Sequence, residues 1–340
     1  MRAIFDSTAN FAQLQENKAT ELFNDSMIGP KNIDEFIEYL QNQIYPLDVF
    51  LWNAHSISDF ESDKYLMLKT LAKICESTIF CITETWLDRT KLINLSDFGN
   101  HEIIRCDRNV QFYEQGAGIC CFLPKIFDFI MRFSADFDEF QFLCIDLFPI
   151  KPETLRLIIV YVREKKLSEE DYQTLIEMLQ KFTTNINRLL IVGDFNAPNI
   201  NWLKETKETP VVGGNETAQT PTKKKKYAET PYEKSLRKFI ESKQLEQYVK
   251  YPTYKKSEET AKSLLDLVLT NNGISVSNLI YFPYDLSDHR ALKFQVFNET
   301  ADDSSSFVKY KKLKKETSED TQFDNSLNET PVSKFFIFKA

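Results

Sequence analysis

Four polar clusters close or flank apolar runs along the chain. Asn53 ends LDVFLWN, Glu84 ends TIFCITE, Asp194 and Asn196 end RLLIVGDFN, and Ser287, Asp288 and His289 lead into HRALKF. Carboxylates suit a hard divalent cation, which prefers oxygen ligands. A histidine can carry or donate a proton near neutral pH. Singly, each cluster has an ordinary structural reading: Asp-Phe-Asn is usually a turn, Glu84 a cap or a solvated strand end, His289 a satisfied structural histidine. Their shared placement argues for more. Sheet-based folds build sites at the ends of apolar strands, where a rigid scaffold holds the loops.

The hydrophobic pattern supplies the elements that must hold these groups. Strands are expected at 47–53, 78–84, 118–123, 139–148, 154–162, 188–196, 264–271, 278–283 and 289–297. Helices are expected at 64–77, at 168–186 with Ser168 as N-cap and acids in the first turn, and at 233–247. Strands outnumber helices, and many are near-continuous apolar runs. That suits strands buried on both faces, or a sandwich whose outer faces are covered. Residues 1–46 read as a polar N-terminal extension with one helix, in which Ile33, Phe36, Ile37 and Leu40 fall at helical spacing. Residues 47–297 read as one domain. Within it, 204–231 is rich in Thr, Lys and Glu, lacks periodicity and reads as a flexible insertion. Residues 298–340 read as a mostly disordered tail.

Composition narrows the field. The chain has 340 residues, a net charge of −8 and only 8 glycines, which argues against collagen-like or Gly-rich repeat architectures. Gly116 and Gly118 are not followed by the third glycine of a dinucleotide loop, and no P-loop occurs. With three histidines (His55, His101, His289) and no C-x-x-C, neither an H-E-x-x-H site nor a structural zinc site is expected. Four of the six cysteines lie in apolar stretches and read as small buried hydrophobes of a reducing compartment. The longest apolar run, LIIVYV, is too short to span a bilayer, so no membrane partner is expected. The first residues carry no apolar signal core, so the expected location is intracellular, nuclear or cytoplasmic, and not secreted.

The series LWNAHS, ITETWL, a strand ending in Tyr161, VGDFNAPNINW, LLDLVLTN and LSDHRAL resembles the endonuclease/exonuclease/phosphatase superfamily. Within it the chain most resembles the apurinic-endonuclease-like domain of non-LTR, LINE-type retrotransposons. The details that point there are ETWL, GDFNAPNINW with its trailing Trp202, and LEQYVKYPTY before LLDLVLTN. The resemblance covers about 47–297 without the insertion. It implies an α/β (α+β), DNase I-like fold: a four-layered sandwich of two mixed β-sheets flanked by helices. It also implies a Mg²⁺-dependent DNA endonuclease, with Mn²⁺ as an alternative cation and the DNA phosphodiester backbone as partner. On that resemblance Glu84 is the principal metal ligand, with Asn53 beside it and Asp288 as an additional metal or structural carboxylate. Asp194 orients or deprotonates the attacking water, and Asn196 hydrogen-bonds the phosphate. His289 contacts the phosphate or acts as acid/base, Asp266 fixes its tautomer, and Tyr161 contacts the phosphate. A monomer is expected.

The chain departs from that branch in places. The first motif there usually reads N-A-R-S; here His55 stands where the arginine would be. The motif after the tyrosine reads Val162-Arg163-Glu164 rather than carrying prolines, and the Gly-rich hairpin is reduced to Gly116-Ala117-Gly118. Positive charge is local, at Lys223–Lys226, Lys255-Lys256 and 309–315, with Arg105, Arg108 and Lys125 as groove-lining candidates in the domain. Two other readings stand beside the endonuclease: a same-fold phosphatase or RNase, and a catalytically inactive or co-opted retroelement remnant acting as a binding module.

Overall fold

The structure, a computed structural model, describes residues 46–109, 116–137, 139–150, 153–163, 167–202, 228–255, 263–284 and 287–298. The expected N-terminal helix, nearly all of the insertion with Lys223–Lys226, Lys256, and the tail with its basic run lie outside the described residues.

In chain order the strands are β1 (Leu47–Asn53), β2 (Ile79–Thr83), β3 (His101–Cys106), β4 (Ile119–Pro124), β5 (Asp128–Asp136), β6 (Phe140–Ile150), β7 (Glu153–Val162), β8 (Leu189–Asp194), β9 (Glu246–Gln247), β10 (Asp266–Thr270), β11 (Ile274–Tyr281) and β12 (Leu292–Asn298). The helices are α1 (Asp63–Ile74), α2 (Glu169–Thr183) and α3 (Pro231–Ser242). They build two six-stranded sheets, ordered β11-β12-β1-β2-β4-β3 and β5-β6-β7-β8-β10-β9. Both are mixed. The parallel pairs are β1–β2 and β7–β8, each bridged by a helix, α1 and α2 respectively. A parallel pair needs such a crossover because its strands cannot be joined by a hairpin.

The period of two explains why the apolar runs are nearly continuous. In β1, Val49 and Leu51 enter a core shared by both sheets, while Phe50 and Trp52 face the other way and pack with Tyr65, Leu68 and Ala72 of α1. In the second sheet, Leu157, Ile159, Leu190 and Val192 enter the shared core. Ile158, Val160 and Ile191 pack outward with Leu175 and Leu179 of α2 and Leu236 and Phe239 of α3. The result is helix on sheet on sheet on helix, the four-layered sandwich expected from the sequence.

The pattern misses what lies at the sheet edges. β3, β5 and β9 are not announced by it, and β11 begins at Ile274 rather than near 278. All four are edge strands. An edge strand has one neighbour and a partly wet face, so its alternation is weak; most of β5 is partly or fully exposed. β5 also carries a bulge between Met131 and Phe133. The bulge re-aims Arg132, whose Nε donates to Asp146 Oδ2 at 2.5 Å. Asp146 on β6 is paired in register with Arg156 on β7, which donates to both of its carboxylate oxygens at 2.6 and 2.9 Å.

Thr230 and Pro231, read from sequence as the end of the insertion, instead open α3. Thr230 and Glu233 form a reciprocal capping box with Pro231 in the first turn, the Thr-x-x-Glu signature of a helix start. The strand β8 depends on one glycine. Gly193 has φ +136, and a Cβ there would lie 1.8 Å from the Val160 carbonyl oxygen of its β7 partner. Gly193→Ala should therefore lower stability by about 1–3 kcal/mol through forced backbone displacement, read as a lower urea midpoint.

Candidate active site

The shared core ends where its inward-facing rows turn polar. On the second sheet, Tyr161 of β7 is paired with Asp194 of β8, which is paired with Asp266 of β10. The three continue the inward rows of Ile159, Val192 and Val268. On the first sheet, Asn53 continues the row of Val49 and Leu51. Stacking the sheets brings these rows together at one end of the core.

Asn53 is the hub. Its Nδ2 donates to Glu84 Oε1 at 3.0 Å and to Asp194 Oδ2 at 2.8 Å, and lies 3.4 Å from His289 Nε2. Its Oδ1 accepts from the His55 amide at 3.2 Å. His289 Nδ1 is 2.7 Å from Asp266 Oδ2, and its Nε2 is 3.7 Å from Asp194 Oδ2. Asn53, Asp194, Asp266 and His289 are buried, whereas Glu84 and Asn196 are partly open.

The electrostatics follow from this crowding. Burial pushes the Asp194 carboxyl up to about 7, with the charges of Asp266 and Glu84 adding and the charge of His289 opposing. Burial works against a cation at His289, but Asp266, Asp194 and Asp288 overcome it and raise the imidazole to about 10. Burial, with Glu84 and Asp194, pushes the Tyr161 phenol well above its ordinary value, so it remains a neutral donor. Among the described residues no lysine or arginine ion-pairs with Glu84, Asp194 or Asp266.

The backbone at the strand ends is held in an uncommon conformation. His55, Ser56, Glu84, Trp86 and Asn196 all have positive φ, which costs non-glycine residues energy and persists only where surroundings over-determine it. The surroundings do so. Ser56 and Ile57 amides donate to the carbonyls of Glu84 and Thr85, and Thr85 and Trp86 amides donate to those of Gly118 and Ala117. A Cβ on Gly118 would lie 2.2 Å from Thr85 Oγ1, so that approach needs glycine.

The other expected residues sit at the rim. Asn196 donates through Nδ2 to the Val162 carbonyl at 2.6 Å, and its amide donates to Asp194 Oδ1 at 3.0 Å. Asp288 does not touch Glu84; its Oδ1 is 3.1 Å from His55 Nδ1 and accepts from Ser287 Oγ at 3.2 Å. Arg105 and Arg108 are engaged structurally, Arg105 with Asp107 and the carbonyls of Lys91 and Asp88, Arg108 with Asp88.

Sequence reasoning missed several supporting groups. Trp86 Nε1 donates to Glu84 Oε2 at 3.3 Å. Lys64 Nζ holds the carbonyls of Ala54 and His55 at 2.8 and 2.6 Å. Ser287 Oγ ties the His289 loop to the Asn53 carbonyl at 2.9 Å. Thr253 Oγ1 accepts from the Leu265 and Asp266 amides at 3.2 and 3.1 Å. Trp86 had a signal in ETWL and Ser287 in the polar cluster before HRALKF, while Lys64 and Thr253 act through backbone contacts that no motif marks.

Two mixed sheets between helical layers, with this polar cluster at one end of the inter-sheet core, are a DNase I-like fold of the endonuclease/exonuclease/phosphatase type. Residues 155–293 match the family model described as "Endonuclease-reverse transcriptase". Among solved structures, the chain is similar to the endonuclease domain of TRAS1, a telomere-specific non-LTR retrotransposon, at 14% identity and a TM-score of 0.52, covering 75% of this chain and 100% of that one. It is also similar to a 3′ phosphatase, NExo from Neisseria, bound to product DNA hairpin, at 12% identity and a TM-score of 0.50, covering 74% of this chain and 100% of that one. At these identities the likeness speaks for the fold. No curated protein matches the chain.

Proposed function

We propose that the chain is a divalent-cation-dependent phosphodiester hydrolase that nicks a strand of DNA. The observation that carries this reading is the convergence of Asn53, Glu84, Asp194, Asp266 and His289 within hydrogen-bonding reach at one end of the core.

The donor set fits a hard cation. Three carboxylates gather there, of which Asp194 and Asp266 ion-pair with His289 while Glu84 has no ion-pair partner among the described residues, and Asp266 Oδ1 is buried without a hydrogen-bond partner. Glu84 is the most open of the three carboxylates and would hold the ion, with Asn53 beside it and Asp288 as a rim carboxylate. Bound there, Mg²⁺ or Mn²⁺ would neutralise phosphoryl charge and support the leaving oxygen.

The chain's own groups supply the rest. Asp194, poised near neutral pH, orients the attacking water and accepts its proton, the condition under which a general base works best. His289, held charged and oriented by Asp266, donates a hydrogen bond to a phosphate oxygen. Tyr161 and Asn196 offer neutral donors from the adjoining strand ends. Asn53 fixes Glu84 and Asp194 relative to one another before substrate arrives, which is the preorganisation that electrostatic catalysis needs.

The test is supercoiled plasmid incubated with the full chain and Mg²⁺ or Mn²⁺. Open circles should appear, disappear with EDTA or with Glu84→Ala, and carry a 3′-hydroxyl that a DNA polymerase extends. Plasmid left supercoiled by the wild-type chain with both metals would overturn the reading.

A further inference from the structure

Beside His289 lies a run of aromatic and cationic side chains that the proposed chemistry does not use. The Tyr254 ring packs on the His289 imidazole with centroids 4.9 Å apart, and the two residues form an isolated β-bridge. One step outward, the Tyr284 ring is flanked by the Arg290 guanidinium at 4.6 Å and by Lys255 Nζ at 5.0 Å. Arg290 Nε is buried without a hydrogen-bond partner. Further out, Tyr251 packs edge-on against Tyr281 at 5.4 Å, yet remains 58% exposed, and its neighbour Lys250 is exposed.

The segment is rigidly mounted. Tyr281 Oη accepts from the amides of Lys250 and Tyr251, the Tyr284 hydroxyl donates to the Pro252 carbonyl, and the Arg290 amide donates to the Thr253 carbonyl. Three chain segments thus hold a fixed aromatic surface next to the catalytic histidine.

We propose that this surface, from Tyr254 out to Tyr251, binds unpaired nucleotides next to the bond that is cut, so that the substrate strand is single-stranded or locally melted there. The inference rests on the hydrolase reading for what lies at His289. Ring exposure chooses unpaired over duplex DNA: the exposed Tyr251 ring stacks on a base whose own faces are free, and in a duplex those faces are already covered. Lys250, Lys255 and Arg290 supply the local charge to track one strand's phosphates, while Tyr251 supplies sequence-tolerant stacking.

The test is fluorescence anisotropy of the full chain, in EDTA to prevent cutting, with a labelled single-stranded oligonucleotide and with the same sequence as duplex. The single strand should bind more tightly. Tyr251→Ala should weaken single-strand binding about tenfold, as expected for loss of one stacking ring. Tyr251→Phe should stay within about twofold of wild type because the ring, not the hydroxyl, makes the contact. Ile126→Ala, at a still more exposed apolar position in the β4–β5 turn, serves as the control without effect. Equal or tighter binding of duplex, or no change in Tyr251→Ala, overturns the proposal even if plasmid nicking succeeds. Failure of plasmid nicking alongside Tyr251-dependent single-strand binding sinks the hydrolase reading and leaves this surface standing.

Discussion

His289→Ala is expected to slow plasmid nicking by a factor on the order of 10²–10³, the usual loss when one preorganised donor is removed from a reacting phosphate. The geometry makes this residue the most exposed to such a loss. His289 is fixed on Nδ1 by Asp266 at 2.7 Å, packed by Tyr254, and aimed at Asp194 through Nε2 at 3.7 Å. The backbone amide bond to Ser287 Oγ and the Ser287 bond to the Asn53 carbonyl remain in the variant, but buried Asp266 loses its partner, so the urea midpoint of the variant is measured beside its nicking rate. Asp266→Asn separates charge from position. Asparagine keeps the size but removes the carboxylate that does most to raise the imidazole against burial. A group whose folded pKa is raised keeps its proton until the pH passes that value. Lowering it should therefore move the alkaline limb of the nicking profile to lower pH, with a rate at acid pH closer to wild type. A pH–rate series on both variants checks this; an Asp266→Asn profile that superimposes on wild type would remove Asp266 from the mechanism.

Asp146→Asn is the substitution with the largest expected effect on stability, about 3–5 kcal/mol, although it lies on β6, away from the strand ends of the candidate site. Asp146 is almost fully buried and receives Arg156 at both oxygens and Arg132 from the β5 bulge. Breaking a buried pair from one side strands the opposite charge, which costs more than the pair itself contributes. Arg156 cannot retreat to water easily, since its side chain is 13% exposed, whereas Arg132, at 43%, can. The pH dependence has a definite sign. Burial opposes ionisation of Asp146, but the two guanidiniums win and hold its carboxyl below the usual range. A depressed carboxylate adds stability above its unfolded pKa of about 3.9, and that stability is lost as pH falls through the folded value. The gap in urea stability between wild type and Asp146→Asn should thus be full near pH 6 and shrink as the pH drops below about 4. A gap independent of pH would show that packing, not charge, carries the effect.

How much of the molecule the sequence discloses depends on where a residue sits in its sheet. Central strands such as β1, β2, β7 and β8 are buried on both faces, and their apolar runs declare them. β3, β5, β9 and the start of β11 escape notice because an edge strand needs apolar side chains on few of its positions. The start of α3 is written in the sequence all the same: Thr230, Pro231 and Glu233 spell a capping box that begins inside the stretch read as the insertion.

The site divides along the same line. Chain-local patterning determined which residues carry polar groups at strand ends: Asn53, Glu84, Asp194, Asn196 and His289 each close, follow or lead into an apolar run, and burial of those runs leaves the polar groups at one end of the core. Tertiary structure alone decided which of them meet. The pairing of Tyr161, Asp194 and Asp266 across three strands comes from sheet register. The Asn53 bridge between Glu84 and Asp194 comes from stacking one sheet on the other. It likewise turned Asp288 toward His55, and set Lys64, Thr253 and Ser287 as braces. The reason is physical. Hydrophobic periodicity is a property of neighbours in the chain, whereas a hydrogen bond between residues 141 positions apart exists only once two sheets have closed over a common core.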